Sequence, residues 1–173
     1  MGFDISGVNP TMHKTDYPLL EKYDHDNFES WGERQEAMEA NGEERKYWEQ
    51  YNQQQEDNPG IYFRNNVWWW RPLWDFVCEH CDDILSKEDM ERGCFNDHHE
   101  ITEDKSLLIA KRIEDLIEDQ TIDAYELAYE EYRKNKADSD DSKESFLGNY
   151  PFCKDNIARF SVFCRESGGF VIS

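Results

Sequence analysis

The sequence predicts a mainly α fold: a single compact multi-helix domain with short strands near residues 61–63 and 170–172. Three observations carry that expectation. Apolar residues recur every three or four positions along several stretches, the period of a helix that buries one face. Aromatic residues make up 14% of the chain, which opposes disorder although 34% of residues are charged. The length of 173 residues suits one domain with room for a core. The expected organisation is one acidic helical domain over 1–173, with a turn-rich segment over 1–23 and an acidic connector over 136–145.

Each element has its own justification. Asn9-Pro10 and Tyr17-Pro18 punctuate the opening as breakers. From Asn27 to about Gln53 the chain is rich in Glu, Gln, Lys, Met and Ala. Asn41-Gly42 divides that stretch into two helices or one bent helix, with Trp31, Met38, Tyr47, Trp48 and Tyr51 expected inward. Asp57-Asn58-Pro59-Gly60 is a strong turn, and Ile61-Tyr62-Phe63 follows as a short strand or extended lead-in.

Pro72 suits the first turn of a new helix, whose stripe is Leu73, Val77, Cys81 and Ile84, with Trp74, Cys78 and Leu85 beside it. Ser86 to Arg92 forms a short helix ended by Gly93. Thr102 is placed to cap the clearest amphipathic helix, with Leu107, Leu108, Ala110, Ile113, Leu116 and Ile117 inward. Thr121 is placed to cap the next, which carries Ala124, Tyr125, Leu127, Ala128 and Tyr132. The last helix spans about Asp155 to Glu166, burying Ile157, Phe160, Phe163 and Cys164. Gly168-Gly169 stops it, and Phe170-Val171-Ile172 docks as a short strand or core plug.

Charge narrows the partners. Thirty-nine acids face 19 Lys and Arg, a formal net charge of −20. Such a field repels phosphates and anionic lipid, so direct nucleic-acid binding is disfavoured and a basic protein partner is favoured. The longest apolar run, Val67 to Trp70, is far too short to span a bilayer. The opening residues lack the basic and apolar regions of a secretory signal. Five cysteines, an odd number, then read as reduced thiols in a cytoplasmic setting.

The most unusual block is Arg64-Asn-Asn-Val-Trp-Trp-Trp-Arg-Pro-Leu-Trp74. Successive tryptophans on a helix point about 100° apart, so Trp68, Trp69 and Trp70 cannot share one stripe. No acid occurs from Asn58 through Trp74, whereas Arg64 and Arg71 do. Arg and Trp anchor interfaces, and Asn65 and Asn66 add directional hydrogen bonding. Arg64, Asn65, Asn66, Trp68, Trp69, Trp70 and Arg71 are therefore the candidate ligand- or partner-binding residues. The plainer alternative is a tryptophan-rich core plug whose arginines pair with surface acids.

Cys78 and Cys81, then Cys94 and His98, have the spacing of two ligand pairs that tetrahedral zinc tolerates. Against zinc, Cys78 and Cys81 fall on an apolar helical face, where free cysteine is a common core residue. A redox pair at Cys78 and Cys81 is disfavoured because neither thiol opens a helix and Glu79 and Asp82 lie beside them. His98-His99-Glu100 is no zincin motif, since Glu103 stands where a second histidine would be needed, and a solvated histidine pair is expected. Asp24-His25-Asp26 is a weaker cluster of the same kind. Asp138-Ser-Asp140-Asp-Ser142 opens like a calcium loop but has Lys143 at the glycine position and Asn149 at the twelfth, and is rejected.

Dinucleotide, phosphate-loop and serine-hydrolase signatures are absent. The leading expectation is a non-enzymatic intracellular binding or accessory protein that uses the Arg64–Trp74 surface. The alternatives are a zinc-stabilised module and an acidic protein that mimics nucleic acid to block a DNA-binding protein. The mimic requires carboxylates in rows at phosphate spacing.

Overall fold

The computed structural model describes residues 2–137 and 148–173. The fold is mainly α with a small antiparallel sheet, as the periodicity predicts. Four strands are described, β1 (Gly2–Gly7), β2 (Tyr62–Asn66), β3 (His99–Ile101) and β4 (Phe170–Ile172). The described α-helices are α1 (Pro18–Lys22), α2 (Trp31–Ala40), α3 (Glu44–Asp57), α4 (Val67–His80), α5 (Lys87–Arg92), α6 (Glu103–Glu118), α7 (Thr121–Ala137) and α8 (Lys154–Glu166). They fall into two compact units, Met1–Thr11 with Gly60–Ser173, and Met12–Pro59. Most of the 136–145 connector and of the calcium-loop look-alike lies outside the described residues.

In the larger unit the sheet order is β2-β1-β4-β3, antiparallel throughout. β1 corrects the turn-rich reading of the opening segment. Phe3 and Ile5 alternate with Gly2, Asp4 and Ser6, and this short period-2 pattern buries one face. Ile5 opposes Phe63 on one side and Ile172 on the other, so β1 is a central strand. β3 was not foreseen, whereas β4 falls on Phe170–Ile172 as expected.

The buried faces of the strands join α4, α6 and α8 in one core. Trp70, Leu73, Phe76 and Val77 enter it from α4, Ile109 and Ile113 from α6, and Phe160 and Phe163 from α8. α6 and α8 are also stitched by hydroxyls: Ser106 Oγ donates to the Cys164 carbonyl at 2.6 Å, and Ser161 Oγ to that of Ala110 at 3.2 Å.

Several expectations about faces are corrected. In α6 Leu107 and Leu108 are exposed, and the unremarked Ser106 and Ile109 are buried. The helix is rotated so that its small hydroxyl-bearing side faces α8, which lets the backbones approach. In α7 Ile122 is buried while Leu127 is 76% exposed. Thr102 occupies the N-cap position of α6 but makes no side-chain cap bond. At α7 the capping carboxylate is Asp119, whose Oδ1 accepts from the Thr121 amide at 2.9 Å. α4 begins five residues before Pro72, because the Asn66 side chain accepts from the Trp68 and Trp69 amides. Pro72 therefore sits inside the helix and cannot donate to the carbonyl one turn back.

The smaller unit has its own core of Tyr23, Met38 and Tyr47. Asn41-Gly42 separates α2 from α3 as predicted, with Gly42 at φ +63°. Asn58, fully buried, holds the return of the chain: its Oδ1 accepts from the His13 and Lys14 amides at 2.7 and 3.0 Å. Trp31, Trp48 and Tyr51, expected inward, lie exposed against one another. Its three α-helices have no sheet to close over within the unit, so it encloses a few rings and leaves the rest on its surface.

Candidate functional site

The Arg64–Trp74 segment does not present one surface; its residues are divided among the core, a strand and two clefts. Arg64 points outward from β2 and pairs with Asp4 on the neighbouring strand at 3.4 Å. Asn65, on the opposite face, is only 8% exposed. Asn66 caps α4. Trp70 and Trp74, four residues apart, share the core face and stack at 5.4 Å. Their indole nitrogens are satisfied by the Gly93 and Met90 carbonyls at 2.8 and 3.1 Å. For these two rings the plainer reading, a core plug, is the observed one.

Trp68, Trp69 and Arg71 fall on other sides of the helix. Trp68 packs against Tyr150 at 4.8 Å. Arg71, exposed, donates to the Tyr150 hydroxyl at 3.0 Å, with its guanidinium over that ring. One turn on, Asp75 shares the Arg71 side of α4. Facing the pair are three tyrosines of α7, Tyr125, Tyr129 and Tyr132, spaced four and three residues apart so that one face carries all of them. Together these residues line a cleft of about 250 Å³.

The electrostatics of this cleft are unusual for a surface so rich in acids. Asp75 is exposed as a residue, but partial desolvation of its carboxyl at the cleft wall raises its pKa, with the Arg71 charge pulling the other way. The pair forms no ion pair. Tyr125 and Tyr129 are pushed up to about 12, first by burial and then by neighbouring groups that include Asp75. At neutral pH both phenols are protonated. The Tyr125 and Tyr129 hydroxyls and the Asp75 carboxylate have no hydrogen-bond partner among the described residues. The cleft thus offers aromatic walls, one unpaired carboxylate and unengaged hydroxyls. The sequence singled out Arg71 but not Asp75, and it placed Tyr125 and Tyr132 on the same helix without marking Tyr129 or a shared face.

The metal candidates are arranged differently from their spacing. Cys81 is buried, Cys78 half-buried, and Cys94 and His98 exposed. They do not form a group of close ligand atoms. Among the described residues the only such group is Asp24, His25 and Asp26, all exposed, with ligand atoms within 4.8 Å of one another. There Asp24 Oδ1 also caps the 3₁₀ turn by accepting from the Asp26 amide. Burial pushes the Cys78 and Cys81 thiols up to about 12, so both are protonated at neutral pH and poor nucleophiles.

His98 and His99 part company. His98 is exposed with φ +61°, whereas His99 is buried on β3 and corrects the expectation of a solvated pair. Its Nε2 lies 2.9 Å from Asp89 Oδ1. The other Asp89 oxygen accepts from the Ser86 amide and hydroxyl, both at 2.8 Å, and from Lys105. Burial alone would raise the Asp89 pKa, but the bonds from Lys105, Ser86 and His99 outweigh it and hold this carboxyl far below the ordinary range.

No family model, no curated protein and no solved structure matches the chain. No helix among the described residues is long and apolar enough to cross a membrane.

Proposed function

We propose that this is a non-enzymatic binding protein whose recognition site is the tyrosine cleft between α4 and α7, and that the site receives a Lys or Arg side chain of a basic protein partner. The observation that carries the reading is the Asp75 carboxylate, unpaired among the described residues, in a cleft lined by Tyr125, Tyr129 and Tyr132. A cation placed there gains a counter-ion and the negative faces of aromatic rings together. Arg71 is already turned to Tyr150, which leaves Asp75 for an incoming charge. The net charge of −20 would steer a basic partner toward the protein.

Titration with a lysine-rich peptide, followed by calorimetry, tests the reading. Asp75→Asn and Tyr129→Ala should each weaken binding by roughly 5- to 30-fold, the equivalent of one or two kcal/mol. Equal affinity in wild type and both variants would refute it.

A second reading, a zinc-stabilised module on Cys78, Cys81, Cys94 and His98, has one observation in its favour: Cys78 and Cys94 lie within electrostatic range of each other. About one zinc per purified chain, together with a Tm lowered by chelation, would establish it.

A further inference from the structure

A second cleft, of about 230 Å³, opens between β2, the first turn of α4 and the first two turns of α8. Several of its polar side chains make no hydrogen bond or ion pair with the described residues. Asn65 is more than nine-tenths buried, yet its Nδ2 has no hydrogen-bond partner among the described residues. A buried donor left unsatisfied is costly, and native folds rarely tolerate one without a reason. Asp155 and Arg159 are spaced four residues apart on α8, the register in which helical ion pairs form readily. They make no ion pair with each other. The Arg159 guanidinium instead lies over the Phe63 ring at 5.7 Å. The half-buried Trp69 supplies an aromatic wall. Cys153, at the N-cap of α8, contributes no side-chain bond to that helix start.

A carboxylate and a guanidinium that line one cavity without meeting leave a gap for a molecule carrying both complementary charges. We infer that this cleft binds a free α-amino acid with an aromatic or large apolar side chain. Its carboxylate meets the Arg159 guanidinium and the Asn65 amide, its ammonium meets Asp155, and its side chain packs on Trp69. A guanidinium fork matches a carboxylate in geometry as well as charge. The opposed charge of Asp155 disfavours a simple anion, and Arg159 disfavours a simple cation. The zwitterion satisfies both. The residues involved are separate from those of the tyrosine cleft, so the two proposals stand or fall independently.

The test uses the full chain, isotopically labelled, and three probes that differ only in charge: L-phenylalanine, 3-phenylpropionate and 2-phenylethylamine. Binding of L-phenylalanine should shift the Asn65 side-chain amide and the Trp69 indole resonances saturably, with a Kd below roughly 1 mM. The two singly charged probes should bind at least tenfold more weakly. Arg159→Ala, at an exposed position, should abolish the shifts, while Arg159→Lys should retain part of them. No saturable shift with L-phenylalanine, equal binding of 3-phenylpropionate or of 2-phenylethylamine, or shifts that persist in Arg159→Ala would each overturn the proposal.

Discussion

Asp75 and Asp89 show how environment sets opposite roles for the same side chain. Asp89 is buried but surrounded by donors, so its folded pKa is depressed. Its stabilising contribution is present above the unfolded carboxyl value near 3.8 and is lost as pH falls toward the folded value. Asp89→Ala should cost about 3 kcal/mol in urea unfolding at neutral pH, because it leaves Lys105 and His99 facing an empty site. The same variant should lose the part of wild-type stability that disappears below pH 4. Asp75 has the reverse sign. Its pKa is raised, so its charged form burdens the folded state once pH exceeds the folded value. Asp75→Asn should therefore raise Tm slightly at neutral pH while weakening peptide binding. A residue that serves only stability would not separate the two readouts in that way.

Among the elements, α4 and α5 show where backbone demands override side-chain patterning. Asn66 starts α4 a turn and a half before the expected helix, and Asn66→Ala should cost about 1 kcal/mol in chemical denaturation. α5 has a complete capping box between Ser86 and Asp89 and stops at Gly93. A Cβ at Gly93 would lie 2.1 Å from the Trp74 ring. That ring is in the core and cannot yield, so Gly93→Ala should lower Tm by several degrees and redshift tryptophan emission. The glycine was legible in the sequence as a helix stop. Its second role, making room for the Trp74 ring, was not, because that neighbour lies nineteen positions away.

For the whole molecule, the acidic surface is the dominant physical fact. Like charges repel in the compact state, and added salt screens them over a Debye length of about 10 Å at 0.1 M. Raising sodium chloride from about 0.01 to 0.3 M should increase Tm by a few degrees in calorimetry. The same salt should weaken the peptide complex, since steering and pairing are screened together. Opposite responses of stability and binding to one variable are the expected signature. A Tm independent of salt would show the charges to be already compensated by local pairs.

Helix periodicity, the break at Asn41-Gly42, the stop at Gly168-Gly169 and the terminal strand could all be read from the chain itself, because each depends on neighbours within a few positions. β1 was missed because six residues of weak alternation become a strand only when β2 and β4 supply their hydrogen bonds from distant parts of the chain. The aromatic block stands out in the sequence, but local patterning could not say that Trp70 and Trp74 would be enclosed. Nor could it say that Arg71 would line one cleft and Trp69 with Asn65 another, or that Asp75 would meet the tyrosines of α7. Those outcomes follow from which helix faces which. That is decided by the packing of rings from residues up to a hundred positions apart, such as Phe63 and Phe163, a property no window along the sequence contains.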